Sequence, residues 1–528
     1  MKTVLKISLI CLVVALALSF GEESHAYTKQ QIEEALNYEE HVPDNMRELV
    51  SEEKYKKTVQ KLALLDDPLS GEDMLSLRAI MKVAASPCSG SMVYLATEYA
   101  NSPATQKALT KVNKGFQEPP FGYETDNPWI ANENATELVR QMLNVFSEWC
   151  VFLPEIDGDQ DNGLYYIQYF AWFYYNNLVG KAFVQGRDRA GKTVPLKTGL
   201  KFVEDFSVQR GNFMNSKAST KQISQWVNDP RLEMEDYKKT KAGEYDSWND
   251  FFAREIKVDK ENKTIPSRPA TMPISEYPER DYIVVAPTDC IVNPLVQVLQ
   301  KEGASIKKYV DNPLQEDMVL DVKNIPIGLM VLLGDAPEEL KNKFIGGTGL
   351  SCVLMPNTYH HFHSPVNGKI VHAEIVKSVK LPQDTKKVPI STYGYVDFPN
   401  WVPLDGNVGR PGTDFSEFQF FQRGVVIIEV KYKDVDGKAD LTGYVASIPV
   451  GLDTIGSVVL DDDIKEGKFV KRGFTRLGGF LYGGSLDILL FSKGLATGAV
   501  QTRMGNQITL FNIGKTPPPP HTKGWRGK

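Results

Sequence analysis

Cysteine is scarce in this chain, which limits the kinds of site that it can build. Only 5 of the 528 residues are cysteines, and those beyond the N-terminal stretch are Cys88, Cys150, Cys290 and Cys352. No two of them have the CxxC spacing of a zinc or dithiol site. Cys88 and Cys150 both lie in the N-terminal region, so they are the pair to test for a disulfide if the protein is exported.

Long apolar runs and excess charge are also lacking. Beyond residue 26 no segment reaches the roughly eighteen apolar residues that a membrane-spanning helix needs, so we expect a soluble or peripheral protein. The chain has 60 basic and 66 acidic residues, which gives no broad cationic surface. This balance argues against nucleic acid as a partner.

The N-terminus has the pattern of a secretory signal peptide. Two lysines precede an apolar stretch over residues 7–20, and Ser24 and Ala26 are small residues at the two positions that signal peptidases read. We therefore assign residues 1–26 to a signal peptide and expect a periplasmic or secreted protein. If this segment were not cleaved, it would anchor the protein in a membrane.

The periodicity of apolar residues divides the rest of the chain. Apolar spacing of three and four predicts helices up to about residue 240, and short runs rich in Val and Ile predict strands from about residue 280. We therefore expect an α+β fold, with a helical N-terminal domain over residues 27–240, a β-rich and mainly antiparallel domain over residues 241–514, and a disordered proline-rich tail over residues 515–528. The predicted helices include Gln30–Asn37, Glu52–Leu65, Gly71–Ala84 and Ala135–Phe152, and the predicted strands include Val319–Val322, Gly424–Tyr432 and Asp440–Ser447.

Two segments between these elements allow more than one interpretation. The segment Leu381–Gly424 carries five prolines, and we expect it to cover the active site or to form an oligomer contact. The segment Asp157–Gly163 resembles the start of a calcium loop, but Asn162 stands where such loops have glycine. We favour a solvated acidic turn at that place.

A glycine pair precedes a serine near the C-terminus. Gly483 and Gly484 come directly before Ser485, and the largely apolar run Leu486–Phe491 follows. Because glycine has no Cβ, the carbonyl of Gly484 is open to attack by the neighbouring hydroxyl, which suits self-cleavage. Taken alone, the same residues are also typical of a glycine bulge at the start of a strand.

Histidine is concentrated at one place. Three of the 7 histidines of the chain are His360, His361 and His363. On a strand, His361 and His363 would share one face and His360 would take the other. Upstream, Asp289 stands in an otherwise apolar run, where a carboxylate is costly unless it has a partner.

The histidine cluster alone is compatible with other functions. His361 and His363 alternate as the ligands of a β-barrel metal site do, so the cluster over residues 360–363 could serve a cupin-like, metal-dependent enzyme. That site would need a nearby glutamate and a further histidine on a later strand, and the next glutamate is Glu374. A non-catalytic binding protein is a third alternative, and it would require an inert Ser485.

The order of these motifs resembles one family. Asn249–Glu255, Ala286–Asp289, Tyr359–Gly368 and Gly483–Ser485 occur in the order seen in phosphatidylserine decarboxylases, including their soluble branch of tryptophan decarboxylases. The resemblance covers roughly residues 245–510. It departs from the usual pattern at Cys290, where glycine is common, and at His361, where arginine is common.

The resemblance implies a mechanism of maturation. In this family a trio of Asp, His and Ser drives self-cleavage, and here it would consist of Asp289, His363 and Ser485. Asp289 would orient the imidazole, His363 would take the serine proton, and the hydroxyl would attack the Gly484 carbonyl. Cleavage between residues 484 and 485 would leave a pyruvoyl group, made from Ser485, on the C-terminal fragment.

The resemblance also implies an activity and partners. The pyruvoyl group would form a Schiff base with phosphatidylserine or a related amino acid and release carbon dioxide, and no metal would be needed. His360 would assist decarboxylation or reprotonation, and His360 and Tyr359 would contact the substrate. We expect the two cleavage fragments to stay associated, and the sequence is compatible with a homodimer and with peripheral membrane contact.

Overall fold

The computed structural model places most of the residues that it describes in helices and strands. It describes residues 27–65, 75–117, 129, 132–156, 166, 170, 173, 177–186, 194–268, 283–301, 304–322, 325–354, 357–376, 378–379, 388–389, 423–433, 438–452, 458–482 and 484–496.

Helices dominate the first half of these residues, and two short helices lie later among the strands. In chain order they are α1 (Lys29–Ala35), α2 (Tyr38–His41), α3 (Glu52–Leu65), α4 (Leu77–Ala84), α5 (Ser89–Asn101), α6 (Pro103–Gln117), α7 (Ala135–Val151), α8 (Leu178–Gln185), α9 (Thr198–Met214), α10 (Ile223–Val227), α11 (Trp248–Phe252), α12 (Leu329–Leu332) and α13 (Glu338–Lys341).

Capping at its first turn and burial of one face explain the helix α7. The Asn134 side chain accepts a hydrogen bond from the backbone N–H of Glu137 and caps α7, which satisfies one of the unpaired N–H groups of the first turn. The buried face of α7 includes Leu138, Phe146 and Trp149. Aromatic packing against this face then stabilises the helix far more than its intrinsic propensity does.

Strands follow from residue 291 onward. They are β1 (Ile291–Pro294), β2 (Val296–Lys301), β3 (Ala304–Tyr309), β4 (Val319–Val322), β5 (Ile325–Gly328), β6 (Thr348–Leu354), β7 (His361–His363), β8 (Gly368–Val376), β9 (Ser378–Val379), β10 (Val388–Pro389), β11 (Arg423–Lys433), β12 (Asp440–Leu452), β13 (Val458–Leu460), β14 (Phe469–Val470), β15 (Arg476–Phe480) and β16 (Gly484–Phe491).

Two of the sheets position the site. The larger has the order β1-β6-β16-β12-β11-β8-β14, and a smaller one has the order β13-β15-β7. Neighbouring strands in both sheets pair antiparallel. The strand β16 therefore lies inside the large sheet, with hydrogen-bonded neighbours on both of its edges.

Contacts divide the chain into two compact units, Met1–Ala85 and Ser86–Lys528. The first unit holds α1 to α4. The second holds the remaining helices together with the sheets, so residues 86–240 belong to the same compact unit as the strands. The predicted boundary near residue 240 marks the change from helices to strands.

The α+β fold class predicted from the sequence is confirmed. Predicted Glu52–Leu65 and Val319–Val322 coincide with α3 and β4, and predicted Gly424–Tyr432 lies within β11. Among the residues that the structure describes, no helix is long and apolar enough to cross a membrane. The predicted signal peptide, the calcium-like segment, nearly all of Leu381–Gly424 and the C-terminal tail lie outside the described residues.

Candidate functional site

Ser485 lies at the beginning of the central strand β16. It pairs with Leu354 of β6 on one side and with Gly451 of β12 on the other. Its side chain is 1% exposed, and no described group forms a hydrogen bond with its Oγ. A buried hydroxyl without a partner is costly, and such groups in native proteins often have a chemical role.

The histidines lie on and beside the short strand β7, and this strand reaches the cleavage turn through β15. His361 of β7 faces Gly479 of β15, and the backbone N–H of Phe480 donates to the carbonyl of His360 over 2.8 Å. Ser485 follows Phe480 by five positions along the chain. The pairing of β7 with β15 therefore brings the histidine cluster to the strand that leads into the cleavage turn.

His363 is wholly enclosed and makes two hydrogen bonds. Its Nδ1 lies 3.1 Å from the carbonyl oxygen of Phe474, and its Nε2 lies 2.9 Å from the Tyr359 hydroxyl. A carbonyl can only accept, so Nδ1 carries the hydrogen and Nε2 accepts from Tyr359. Burial, with a smaller effect from His361, lowers the pKa of His363 to about 3. The imidazole is therefore neutral at physiological pH, with the lone pair of Nε2 accepting from Tyr359.

Tyr359 lies against the segment that carries Asp289. The Thr288 hydroxyl donates to the carbonyl of Tyr359 over 3.0 Å, and the backbone N–H of His363 donates to the carbonyl of Pro287 over 2.7 Å. These bonds join two of the sequence motifs. Burial raises the pKa of the Tyr359 hydroxyl, so it stays protonated and keeps its hydrogen for His363.

Asp289 has a different partner from the one that its predicted role requires. Arg268 donates from Nε to Oδ1 over 2.9 Å and from a terminal nitrogen to Oδ2 over 2.5 Å. The second terminal nitrogen of Arg268 donates to Asp236 over 3.1 Å. In this arrangement Asp289 is paired with a guanidinium, and the carbonyl of Phe474 occupies Nδ1 of His363. A bidentate, charge-assisted pair is stronger than a bond to a neutral imidazole, which explains the difference.

His360 has different partners from those of His363. Its Nδ1 lies 2.9 Å from the carbonyl oxygen of Thr358, and its ring stacks on Phe252 with centroids 3.7 Å apart. His361 instead hydrogen bonds through Nε2 to the carbonyl of Ala253 at 2.7 Å. Both side chains are buried. The histidine cluster is therefore packed against α11 and the residues that follow it.

The helix α11 also holds the cleavage turn. The backbone N–H of Tyr482 donates to the Asn249 side chain over 2.9 Å, and the Tyr482 ring contacts Trp248 and Phe252 edge to face. Ser247 caps the helix by accepting from the N–H of Asp250. The same short helix thus touches both His360 and Tyr482, which comes three residues before Ser485.

Arg254 has a structural role. It is 1% exposed and donates to the carbonyls of Asn357 and Thr358 over 2.6 and 3.0 Å. It also lies over the Tyr237 ring at 4.5 Å. Because these carbonyls directly precede Tyr359, the guanidinium fixes the start of the histidine segment.

Among the described residues, no group of three or more His, Cys, Asp or Glu side chains has the arrangement of a metal site. His361 and His363 do not converge on a common point, since their Nε2 atoms contact Ala253 and Tyr359 respectively. The imidazoles are used in hydrogen bonds within the fold.

Three site residues escape sequence reasoning. Arg268 and Asn249 are ordinary polar residues until the fold brings them to Asp289 and Tyr482. Asp487 had a usable signal, since it is an acid in the apolar run after Ser485. It is 0% exposed, and Ser447 donates to its carboxylate, at 2.9 Å from Oδ2.

The catalytic region has relatives of known name. The sequence profile of the family described as phosphatidylserine decarboxylase matches residues 248–510. The chain is similar to the phosphatidylserine decarboxylase proenzyme of Fusobacterium nucleatum subsp. nucleatum, with 27% identity over 293 residues that cover 56% of this chain and 74% of that protein. It is also similar to the proenzyme of Clostridium perfringens, with 24% identity over 364 residues that cover 68% and 95%. Phosphatidylserine decarboxylase proenzyme 3 of Schizosaccharomyces pombe is 26% identical over 300 residues, or 56% of this chain and 24% of that protein.

Proposed function

The chain belongs to the phosphatidylserine decarboxylase family and is a carboxy-lyase, and from this premise we propose that it matures by cleaving its own backbone between Gly484 and Ser485. The cleavage converts Ser485 into a pyruvoyl group at the N-terminus of the fragment 485–528. The substrate is phosphatidylserine or a related amino acid.

The observation that carries the proposal is the Oγ of Ser485. It is buried and without a hydrogen-bond partner among the described residues, and it follows a glycine whose carbonyl no Cβ shields. A nucleophile needs an accessible lone pair and a nearby electrophile, and a hydroxyl bonded to another acceptor would have to break that bond first. The position of Ser485 therefore supports a role in attack on the preceding peptide.

His363 supports the proposal as the base. Its imidazole is neutral, and we propose that it receives the Ser485 proton at Nε2, where the Tyr359 hydroxyl now donates. For this transfer the Tyr359 hydroxyl must either break its hydrogen bond with Nε2, or take up the Ser485 proton on its oxygen while it gives its own hydrogen to Nε2. The carbonyl of Phe474 holds the ring through Nδ1. Asp289 becomes part of the trio if one of its carboxylate oxygens is released from its bond with Arg268.

The fit of the prosthetic group rests on the same serine. A pyruvoyl group supplies a ketone that binds a substrate amine and accepts the electron pair left by departing carbon dioxide. Residue 485 offers the side-chain oxygen from which it forms. We propose that His360, which is buried and packs on Phe252, holds a proton for the substrate carbon, and that its neighbour Tyr359 contacts the substrate.

The mass of the intact protein tests the proposal. The wild type should separate in denaturant into a long fragment and the fragment 485–528, whose first residue reacts with hydroxylamine. Ser485→Ala should remain one chain and release no carbon dioxide from phosphatidylserine vesicles or from any amino acid. The matched control Ser224→Ala, an exposed serine, should be cleaved as the wild type is. An unbroken wild-type chain would overturn the proposal.

We also propose that the protein is exported. The disulfide between Cys88 and Cys150 supports this, because such bonds persist mainly in oxidising compartments. The predicted signal peptide gives the route. N-terminal sequencing of protein recovered from outside the cytoplasm should begin after Ala26, and a protein found only in the cytoplasm would contradict the proposal.

A further inference from the structure

Asp487 is a buried carboxyl group beside the proposed reaction centre. It follows Ser485 by two positions on β16, and residues two apart on a strand point to the same face. Its neighbours across the ladders are Cys352 of β6 and Pro449 of β12. Along β16, Ser485 and Asp487 are about 6.6 Å apart, which is twice the rise per residue.

The surroundings of Asp487 offer hydrogen bonds but no opposite charge. The Ser447 hydroxyl lies 2.9 and 3.2 Å from its two oxygens, and the backbone N–H of Ile448 also donates to it. Among the described residues, no Lys, Arg or His pairs with it, and the Cys290 thiol, which is hydrogen-bonded to Cys352, interacts with it electrostatically. Burial raises the pKa of Asp487 to about 7, and the bond from Ser447 opposes this.

A buried carboxylate without a cation is costly, and a positively charged ligand would offset that cost. Primary amines are ammonium ions at neutral pH, whereas only the uncharged amine has the lone pair that attacks a ketone. A decarboxylase of this kind must therefore remove one proton from its substrate nitrogen before any bond forms.

We propose that Asp487 is this base, whose carboxylate binds the substrate ammonium group and takes its proton beside the carbonyl made from Ser485. The ammonium ion and the carboxylate become a neutral amine and a carboxylic acid, so atoms and charge balance and no other reactant is needed. Ser447 holds the carboxylate in place. The inference rests on the proposed function and names the residue that recognises the amine of its substrate.

Two probes of equal size separate this role from a general effect on the site. Ethylamine is an ammonium ion at neutral pH and needs a base, whereas methoxyamine is uncharged and does not. Each is incubated with the cleaved protein, ethylamine together with cyanoborohydride, and the mass increase of the fragment 485–528 is followed over time. This readout does not depend on decarboxylation.

Asp487→Asn keeps the size of the side chain and should still be cleaved. We expect its rate of ethylamine capture to fall by about a hundredfold, and its rate of methoxyamine capture to stay within about twofold. The matched control Asp462→Asn, an exposed acid, should capture both amines as the wild type does. Equal capture by Asp487→Asn and wild type, or an equal loss for both amines, would overturn the inference, as would a folded but uncleaved variant.

If Asp487→Asn fails to fold, the wild type alone decides. With a carboxylate base, the rate of ethylamine capture should level off above neutral pH, whereas without one it should keep rising by about tenfold per pH unit with the fraction of free amine. The second result would sink the inference. A wild type that captures neither amine would show instead that the proposed function itself has failed.

Discussion

At the scale of single residues, burial decides the protonation states of the site. The imidazole of His363 is neutral because it is removed from water. The same cause raises the pKa of the Asp487 carboxyl group to about 7. Ser485 is buried as a hydroxyl without a partner among the described residues. A neutral imidazole is ordinary for histidine, whereas a pKa near 7 is unusual for an aspartate and marks it as a candidate for proton transfer.

The two histidines should separate maturation from turnover. His363→Ala removes the proposed base, so we expect the chain to remain uncleaved on a denaturing gel. His360→Ala should be cleaved normally yet release carbon dioxide about a hundredfold more slowly, because it lacks the proton carrier for the substrate carbon. Normal cleavage of the His363 variant would contradict the assignment of the base.

Asp487 should make stability fall as pH rises. Its folded pKa of about 7 exceeds the unfolded value of about 3.9, so between these values the folded state holds a proton that the unfolded state lacks. The stability present at low pH is therefore lost as pH rises toward about 7. In the uncleaved Ser485→Ala background, the free energy of unfolding should fall by about 3 kcal/mol between about pH 5 and about pH 8 because of Asp487. Asp487→Asn in this background should abolish that fall.

Urea denaturation at the two pH values measures this difference. The control Asp462→Asn, in the same background, should keep the pH dependence of the parent. If Asp487→Asn also keeps it, Asp487 does not titrate near neutrality in the folded protein.

At the scale of elements, the position of β16 explains how a cleaved chain could stay whole. The strand forms ladders with β6 over Ser485–Phe491 and with β12 over Gly484–Phe491. Cleavage at its first peptide bond leaves these ladders in place. The side chains of Leu486, Ile488 and Leu490 are also buried, so the short fragment keeps an apolar anchor in the sheet.

We therefore expect the two fragments to co-elute in native size-exclusion chromatography and to separate only in denaturant. Leu490→Asp, which places a charge at a buried position of β16, should release or unfold the short fragment after cleavage. The control Lys493→Asp changes an exposed residue just beyond the strand and should leave the fragments together. Spontaneous separation of the wild-type fragments would contradict this account of the sheet.

At the scale of the whole molecule, helices upstream of the family region are part of the unit that carries the site. Arg210 of α9, which precedes residues 248–510, lies over the Tyr482 ring at 5.8 Å. The second unit begins at Ser86, and its first helices are joined by the disulfide between Cys88 and Cys150.

Loss of that disulfide should destabilise the second unit. The bond closes a loop of 62 residues, for which the chain-entropy estimate is about 4 kcal/mol. The double variant Cys88→Ser and Cys150→Ser should therefore have a lower melting temperature than the wild type in the absence of reductant. Adding reductant should lower the melting temperature of the wild type alone, and an equal effect on both proteins would show that the bond does not contribute.

Local patterns were sufficient for the elements and for several parts of the site. Val and Ile runs gave β4 and β11, and apolar spacing gave α3, because these periodicities follow directly from backbone geometry. The placement of His361 and His363 on a strand was also predictable. The segment Leu381–Gly424 lies largely outside the described residues, and its role as a cover stays a prediction.

The amino-acid sequence by itself determined the family, the change from helices to strands and the serine of the proposed cleavage, since these depend on neighbouring residues. Only the tertiary structure decided that Arg268 pairs with Asp289, that Phe474 and Tyr359 hold His363, and that Asp487 is buried with no cation beside it among the described residues. Such pairings join residues far apart in the chain. They depend on which groups packing removes from water, and no local pattern records that.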